Sequence, residues 1–141
     1  EMVRADSCSM NMGLTICYDL RFPHLYRRLA RDGAEMLAIP AAFTFNSGKA
    51  HWHVLLRARA IETGCFVVAA TQCGTHADGR RTYGHALIVS PWGEIMAEAA
   101  TDDGNAAAGA NDAVIHAALD PKAVTRVRTA IPSLGTQPKF S

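Results

Sequence analysis

The chain has 141 residues, enough for one domain with one hydrophobic core. A hydrophobic fraction of 49% with 19% charged residues is typical of a globular chain, and a formal net charge of +1 predicts no nucleic acid and no membrane surface as partner. No apolar run approaches the roughly 20 residues of a membrane-spanning helix, and the first residues lack the basic-then-apolar form of a signal peptide. A cytoplasmic location is therefore predicted.

The cysteines do not form a metal or disulfide pattern. There are four, Cys8, Cys17, Cys65 and Cys73, and no two of them form a C-x-x-C pair. Three lie in or beside apolar, strand-like runs, so neither a zinc site nor a disulfide framework is indicated. We expect reduced thiols.

The most informative stretch in chain order is a turn that contains Cys17. Gly13 to Ile16 predict a short buried strand, and Pro23 suits the first turn of a helix, where its missing N–H costs nothing. Cys17 therefore falls at a strand-to-helix turn. A thiol there faces the positive end of the helix, which favours a nucleophile. The unpaired N–H groups of the first helical turn can donate hydrogen bonds to a developing oxyanion. The spacing alone is equally compatible with a buried structural cysteine.

The next elements predict a helix, a strand and a loop with ligand contacts. Residues 23–32 predict an amphipathic helix that Gly33 ends, and the apolar run from Glu35 to Pro40 predicts a strand covered on both faces. Residues 41–50 are interpreted as a loop. Because α/β sheets place ligand contacts where strands end, Phe43 and Thr44 are candidate pocket-wall residues. Ordinary loop packing is the alternative for both.

A second helix is predicted from Ala50 to Thr63, closed by Gly64. His51 and His53 are two residues apart, so on a helix they point about 200° apart and cannot share a metal ion. Residues 65–71 predict another buried strand, and 72–84 a turn-rich loop.

The last third of the chain predicts a hairpin, a strand and a helix. Residues 85–90 and 94–99 flank a Pro-Trp-Gly turn, which is typical of a β-hairpin. Residues 101–112 have no apolar period and are interpreted as a flexible loop, whereas 114–119 predict a strand. Asp120 and Pro121 predict the start of a helix that runs through Val127.

Four blocks in this order resemble the C-terminal half of a carbon–nitrogen hydrolase of the nitrilase superfamily. They are GLTICYDLRFP at 13–23, AHWHVLLRARAIET at 50–63, YGHALIVSPWGEIMAEA at 83–99 and LDPKAVTRVRTAIP at 119–132. The branch resembled most is the omega-amidase-like Nit branch, which cleaves small amides. The resemblance implies an α/β fold, the superfamily's α-β-β-α sandwich, with residues 1–141 as the C-terminal portion of a single hydrolase domain.

The resemblance also implies a mechanism. Cys17 would attack a small-molecule amide or nitrile and form a thioester, and the Tyr18 backbone N–H would hold the oxyanion. Asp19 and Arg21 would support the turn through hydrogen bonds and an ion pair. The family's glutamate base and lysine come from strands before the cysteine strand and match no position here, so the isolated chain is expected to turn over little or nothing. No metal or organic cofactor is implied.

Partners and alternatives remain open at this point. Subunits of the family pair through the helix after the cysteine and a second helix, which implies a homodimer or higher homo-oligomer. One alternative function is a non-catalytic, truncated family member that serves as an assembly piece. A third hypothesis is an enzyme with a Cys–His pair, formed by Cys17 and one of His24, His51 or His85. Such a pair requires an imidazole about 3–4 Å from the sulfur.

Overall fold

The computed structural model describes residues 2–5, 10–99 and 112–136. Cys8 and residues 101–111 of the predicted flexible loop lie outside them. Within those ranges a 3-10 helix at Cys17–Arg21 accompanies strands and α-helices. These elements are β1 (Met2–Ala5), β2 (Met10–Leu14), α1 (Pro23–Arg31), β3 (Met36–Ala38), α2 (Phe45–Thr63), β4 (Phe66–Ala69), β5 (Cys73–Thr75), β6 (Arg81–Tyr83), β7 (Leu87–Val89), β8 (Ile95–Glu98) and α3 (Lys122–Ala130).

The main sheet has six strands in the order β1-β2-β3-β4-β7-β8. Its centre, β2-β3-β4, is parallel, whereas β1, β7 and β8 are antiparallel to their neighbours. Strands β5 and β6 form a separate two-stranded ribbon. Because β2, β3 and β4 run in the same direction, their carboxyl ends meet at one edge, where α/β sheets bind ligands.

The two faces of the sheet are covered by different helices. Leu37 of β3 and Val67 of β4 are fully buried in one cluster with Trp52 and other residues of α1 and α2. The alternate residues of the same strands, such as Phe66, pack in a second cluster with Val124 of α3. This alternation is the period-2 pattern of strands buried on both faces.

Several predicted elements are confirmed with small boundary shifts. Helix α1 ends at Arg31, and α2 ends at Thr63, followed by Gly64 in the left-handed conformation at φ +62°. Glycine is favoured there because it lacks a Cβ. The β7–β8 hairpin turns through residues 90–94, with the Ser90 N–H donating to the Glu94 carbonyl. Helix α3 extends three residues beyond the predicted Val127, to Ala130.

The predicted loop at 41–50 is wrong from residue 45 onwards, because α2 already begins at Phe45. The first turns contain Asn46, Ser47 and Gly48, which favour turns in isolation. Packing explains the difference: a Cβ on Gly48 would lie 2.4 Å from the Tyr83 Cβ, so only glycine lets α2 approach β6 this closely. Tertiary contact overrides helix propensity here.

Three further strand predictions are corrected. Strand β2 spans Met10–Leu14, and Ile16 is 64% exposed rather than buried. The turn-rich stretch at 72–84 contains the paired strands β5 and β6. Residues 112–120 form no strand, and Val114 is 94% exposed, since nothing in the described chain pairs with this stretch. None of the helices among the described residues is long and apolar enough to cross a membrane.

Candidate active site

Cys17 lies at the sharp turn between β2 and the 3-10 helix, at the carboxyl edge of the sheet. Its φ is +45°, in the left-handed region that non-glycine residues rarely adopt. Such a conformation costs about 1–3 kcal/mol and persists only where the surroundings enforce it, as at functional sites. The Cys17 N–H donates to the Pro40 carbonyl at 2.9 Å, which ties the turn to the end of β3.

Asp19 and Arg59 stabilise this turn from two sides. The Asp19 carboxylate accepts a hydrogen bond from the Ile16 N–H at 2.9 Å, so it closes the turn around Cys17. Arg59 of α2 is only 5% exposed and donates from Nε and Nη2 to the Leu20 carbonyl at 3.0 and 2.8 Å. These contacts fix the backbone on both sides of the thiol.

Two further polar groups complete this support. Glu62 accepts from Arg59 Nη1 at 2.9 Å, and burial raises the pKa of Glu62 despite the neighbouring guanidinium. The Tyr26 hydroxyl lies 2.8 Å from Thr15 Oγ1, and burial raises the pKa of Tyr26 to about 12. Tyr26 therefore stays protonated at neutral pH and has a structural role beneath the turn.

A pocket of about 520 Å³ opens beside Cys17. This volume is in the range of small-molecule sites. Thr71, which lines this pocket, has a buried Oγ1 with no hydrogen-bond partner among the described residues. The lining residues come from the ends of the parallel strands and are Ile16, Cys17, Pro40, Ala41, Ala42, Ala70, Thr71 and Gln72.

A smaller pocket of about 210 Å³ shares Cys17 and contains the other predicted site residues. Phe43 is 4% exposed and packs on Trp52 with ring centroids 5.0 Å apart. The Thr44 hydroxyl is exposed and lies 2.6 Å from Ser47 Oγ. The lining residues are Cys17, Tyr18, Arg21, Ala42, Phe43, Thr44 and Ser47.

Arg21 contacts aromatic rings and His51, not the Asp19 carboxylate with which an ion pair was predicted. Its guanidinium lies 5.1 Å from the Phe43 ring centroid and 5.5 Å from that of Tyr18, and Nη1 is 3.4 Å from His51 Nδ1. The salt bridges of the described residues include no Asp19–Arg21 pair. Asp19 thus supports the turn without an ion pair to Arg21, and Arg21 adds a cation to the smaller pocket.

The histidines considered as partners of Cys17 make other contacts. His51 bonds to Arg21, His85 Nδ1 lies 2.6 Å from Glu98 Oε1, and the His24 ring centroid is 6.0 Å from that of Phe22. These contacts give a Cys–His pair no support.

Sequence reasoning missed most of the larger pocket. Ala41, Ala70, Thr71 and Gln72 line it only because β3 and β4 lie next to each other, a pairing that is not local in the chain. The available signal was the rule used for Phe43, that residues directly after a buried strand contact ligands.

A strained thiol at the carboxyl ends of parallel strands, beside a pocket of small-molecule size, defines the candidate active site. The family model for carbon-nitrogen hydrolase matches residues 2–129. The chain belongs to this family, which confirms the resemblance found in the sequence.

Relatives and solved structures agree with this assignment. The deaminated glutathione amidase of Synechocystis sp. is 51% identical over 88% of this chain, which spans 42% of that protein. Saccharomyces cerevisiae Nit3, a member of branch 10 of the nitrilase superfamily, superposes with a TM-score of 0.76 at 32% identity, covering 99% of this chain and 47% of Nit3. The fold is therefore that of the nitrilase superfamily, and the chain spans less than half the length of these relatives.

A third neighbour concerns the cysteine. It is a mutant of the amidase from Nesterenkonia sp. AN1, with the acetamide moiety of fluoroacetamide added covalently at its active-site cysteine. Its TM-score is 0.63 at 28% identity, over 70% of this chain and 36% of the amidase.

Alkylation should distinguish Cys17 from the other thiols. We expect brief iodoacetamide treatment at mildly acidic pH to label Cys17 first, because its side chain borders an open pocket. Cys65 is fully buried, and burial raises the pKa of its thiol, so it should react last. Peptide mapping by mass spectrometry measures the order. Cys73, half-buried in β5, is the matched control, and equal rates at Cys73 and Cys17 would contradict the expectation.

Proposed function

We propose that the protein hydrolyses the carbon–nitrogen bond of a small carboxamide through Cys17. The observation that carries this proposal is the Cys17 turn itself, a thiol held at φ +45° beside a pocket of about 520 Å³. The backbone strain serves to expose the sulfur at the sheet edge while the Cys17 N–H remains bonded to Pro40. Membership of the carbon-nitrogen hydrolase family supports the reaction class.

The proposed reaction has two steps. The sulfur of Cys17 attacks the amide carbonyl as its thiol gives up a proton, and that proton passes to the amine as the C–N bond breaks, which yields a thioester. Water then attacks the thioester carbonyl, releasing a carboxylic acid and restoring the thiol. The Tyr18 backbone N–H is proposed as one oxyanion donor.

The remaining chemistry is proposed to come from the family's glutamate and lysine. The resemblance assigns them to strands before the nucleophile strand, and no residue among these 141 matches them. Lys49 of α2 is exposed and so does not suit the role of the family's lysine, because a catalytic lysine must be held rigidly within reach of the reacting atom. We therefore expect the 141-residue chain by itself to turn over little or nothing, since the rest of a catalytic unit does not replace a lost base.

The substrate class follows from the smaller pocket and the relatives. Arg21 supplies a positive charge beside Cys17, and Thr44 and Ser47 supply hydroxyls, which suits an amide that also carries a carboxylate. The Synechocystis relative is named for deaminated glutathione. Deaminated glutathione is thus the first substrate we propose.

An assay of the whole protein tests this function. We expect deaminated glutathione to release its amine fragment, a primary amine that carries the cysteine, with kcat/KM at least tenfold above that for ammonia release from acetamide, which has no carboxylate to pair with Arg21 (about 1.4 kcal/mol of recognition). If the folded whole protein released neither the amine fragment of deaminated glutathione nor ammonia from any small primary amide, the proposed function would be contradicted. Equal kcat/KM for both amides would contradict only the role of Arg21.

A homo-oligomer is also proposed. Tyr18 is 66% exposed and Phe22 43% exposed, directly before α1, the helix through which subunits of the family pair. These rings form an apolar surface suited to a second copy of the chain. The same surface is what the non-catalytic assembly function would use, and the amidase assay separates the two.

A further inference from the structure

A second cluster of titratable side chains lies away from the Cys17 pockets, where α2 meets the β7–β8 hairpin. His53 belongs to α2, His85 to the connection between β6 and β7, and Glu98 is the last residue of β8. One carboxylate oxygen, Glu98 Oε1, lies 2.9 Å from His53 Nε2 and 2.6 Å from His85 Nδ1. These three atoms all lie within 4.8 Å of one another.

The donor set is that of a divalent transition-metal site. Two imidazole nitrogens and one carboxylate oxygen suit Zn²⁺, which binds such atoms at about 2.0–2.2 Å and at about 3.4 Å from each other in a tetrahedral arrangement. The two separations from Glu98 Oε1 are shorter than this. The carboxylate would therefore retreat by less than about 1 Å, and its side chain is 35% exposed, which leaves room for the movement.

Surrounding contacts hold both imidazoles in place. The Tyr83 ring stacks on His85 with centroids 4.2 Å apart at 29°, and it meets His53 edge-on at 5.8 Å. Trp52 Nε1 donates to the His85 carbonyl at 2.8 Å. His85 itself has φ +59°, a strained backbone that turns its ring toward Glu98. Metal sites depend on this kind of packing to orient their ligands.

We propose that His53, His85 and Glu98 bind a Zn²⁺-type divalent ion, with a fourth coordination position left to water. None of the three lines either pocket at Cys17, so the site is separate from the proposed hydrolysis. The ion joins α2 to the hairpin and to the β6–β7 connection. It therefore stabilises the folded chain in proportion to its binding free energy.

A Zn²⁺ competition titration against a chromophoric chelator tests the site. We expect the wild-type protein to bind one Zn²⁺ per chain, and His53→Gln and Glu98→Gln to weaken binding at least about tenfold. Loss of a residue that only hydrogen-bonds to a metal ligand already lowers metal affinity about tenfold or more, and loss of a ligand itself should cost no less. His51→Gln is the matched control, because His51 is exposed on the same helix and bonds to Arg21 instead. It should bind like wild type, and so should Cys17→Ser.

Two further readouts identify the ligands and control for folding. Co²⁺ in the same site should give visible d–d absorption without a thiolate-to-metal charge-transfer band. Zn²⁺ should raise the melting temperature of the wild type but not of Glu98→Gln, a variant that keeps the side-chain size. Failure of the wild type to bind Zn²⁺, binding that survives in His53→Gln, loss of binding in Cys17→Ser, or a thiolate band with Co²⁺ would each overturn the proposal.

Discussion

Replacing Cys17 with serine is expected to reduce amide hydrolysis by the whole protein at least about 10³-fold, because the attacking atom of the proposed reaction is lost. Serine is nearly isosteric and tolerates the same turn, so the fold and the 2.9 Å bond from residue 17 to Pro40 should remain. Release of the amine product measures kcat, and intact-mass spectrometry during turnover measures the thioester. The adduct mass should be present in the wild type and absent in Cys17→Ser.

Cys73→Ser is the matched control for this experiment. Cys73 is also free and half-buried, but it lies on β5 and lines neither pocket. Its replacement should leave kcat within about twofold of the wild type, because surface changes away from a site are usually small. Retention of a full rate by Cys17→Ser would reject Cys17 as the nucleophile.

Replacing Arg59 with methionine is expected to lower the free energy of unfolding by about 3 kcal/mol, since it leaves the Leu20 carbonyl and the Glu62 carboxylate without their buried partner. Methionine keeps much of the side-chain volume, so the loss reports polar contacts rather than a cavity. Urea unfolding measures it. Arg59→Lys should lose less of the free energy of unfolding than Arg59→Met, but it should remain less stable than the wild type. Lysine keeps the charge but cannot place two donors on one carbonyl.

Arg57→Met provides the comparison on the same helix. Arg57 is exposed and donates from Nε to the Gly93 carbonyl at 2.7 Å, a contact expected to contribute less than about 1 kcal/mol. Because Arg59 holds the backbone beside Cys17, Arg59→Met should also lower kcat in the whole protein, whereas Arg57→Met should not. Equal effects of the two variants on stability and rate would contradict the role assigned to the Arg59 contacts.

Local patterns predicted those parts of the fold whose causes are local. Gly64 ends α2 and Pro23 begins α1, because a left-handed cap and a missing N–H act within one turn. The start of α2 could not be predicted in the same way. Its first residues favour a loop, and only the approach of Tyr83 to Gly48, which are 35 positions apart, makes them helical.

The same distinction between local and non-local causes applies to the residues of the candidate site. Cys17 could be predicted as a site residue because it lies at a strand-to-helix turn, and Phe43 and Thr44 because they follow the end of a strand. Each of these signals depends only on position along the chain. Thr71 joined the pocket only through the pairing of β3 with β4. The cluster of His53 with Glu98 was missed for a related reason: the histidine spacing excluded His51 as a co-ligand, but Glu98 and His85, which lie beside His53 in the fold, are far from it along the chain.

The notch that Gly48 leaves in the surface of α2 links the β5–β6 ribbon to the smaller pocket beside Cys17. The Tyr83 side chain fills this notch, and the Tyr83 N–H donates to the carbonyl of Phe43, whose ring forms the pocket wall. A swing of the β5–β6 ribbon would have to break this bond and withdraw the ring from the helix. We therefore expect opening of the ribbon and widening of the smaller pocket to be one coupled motion, so that a more mobile ribbon would admit bulkier molecules.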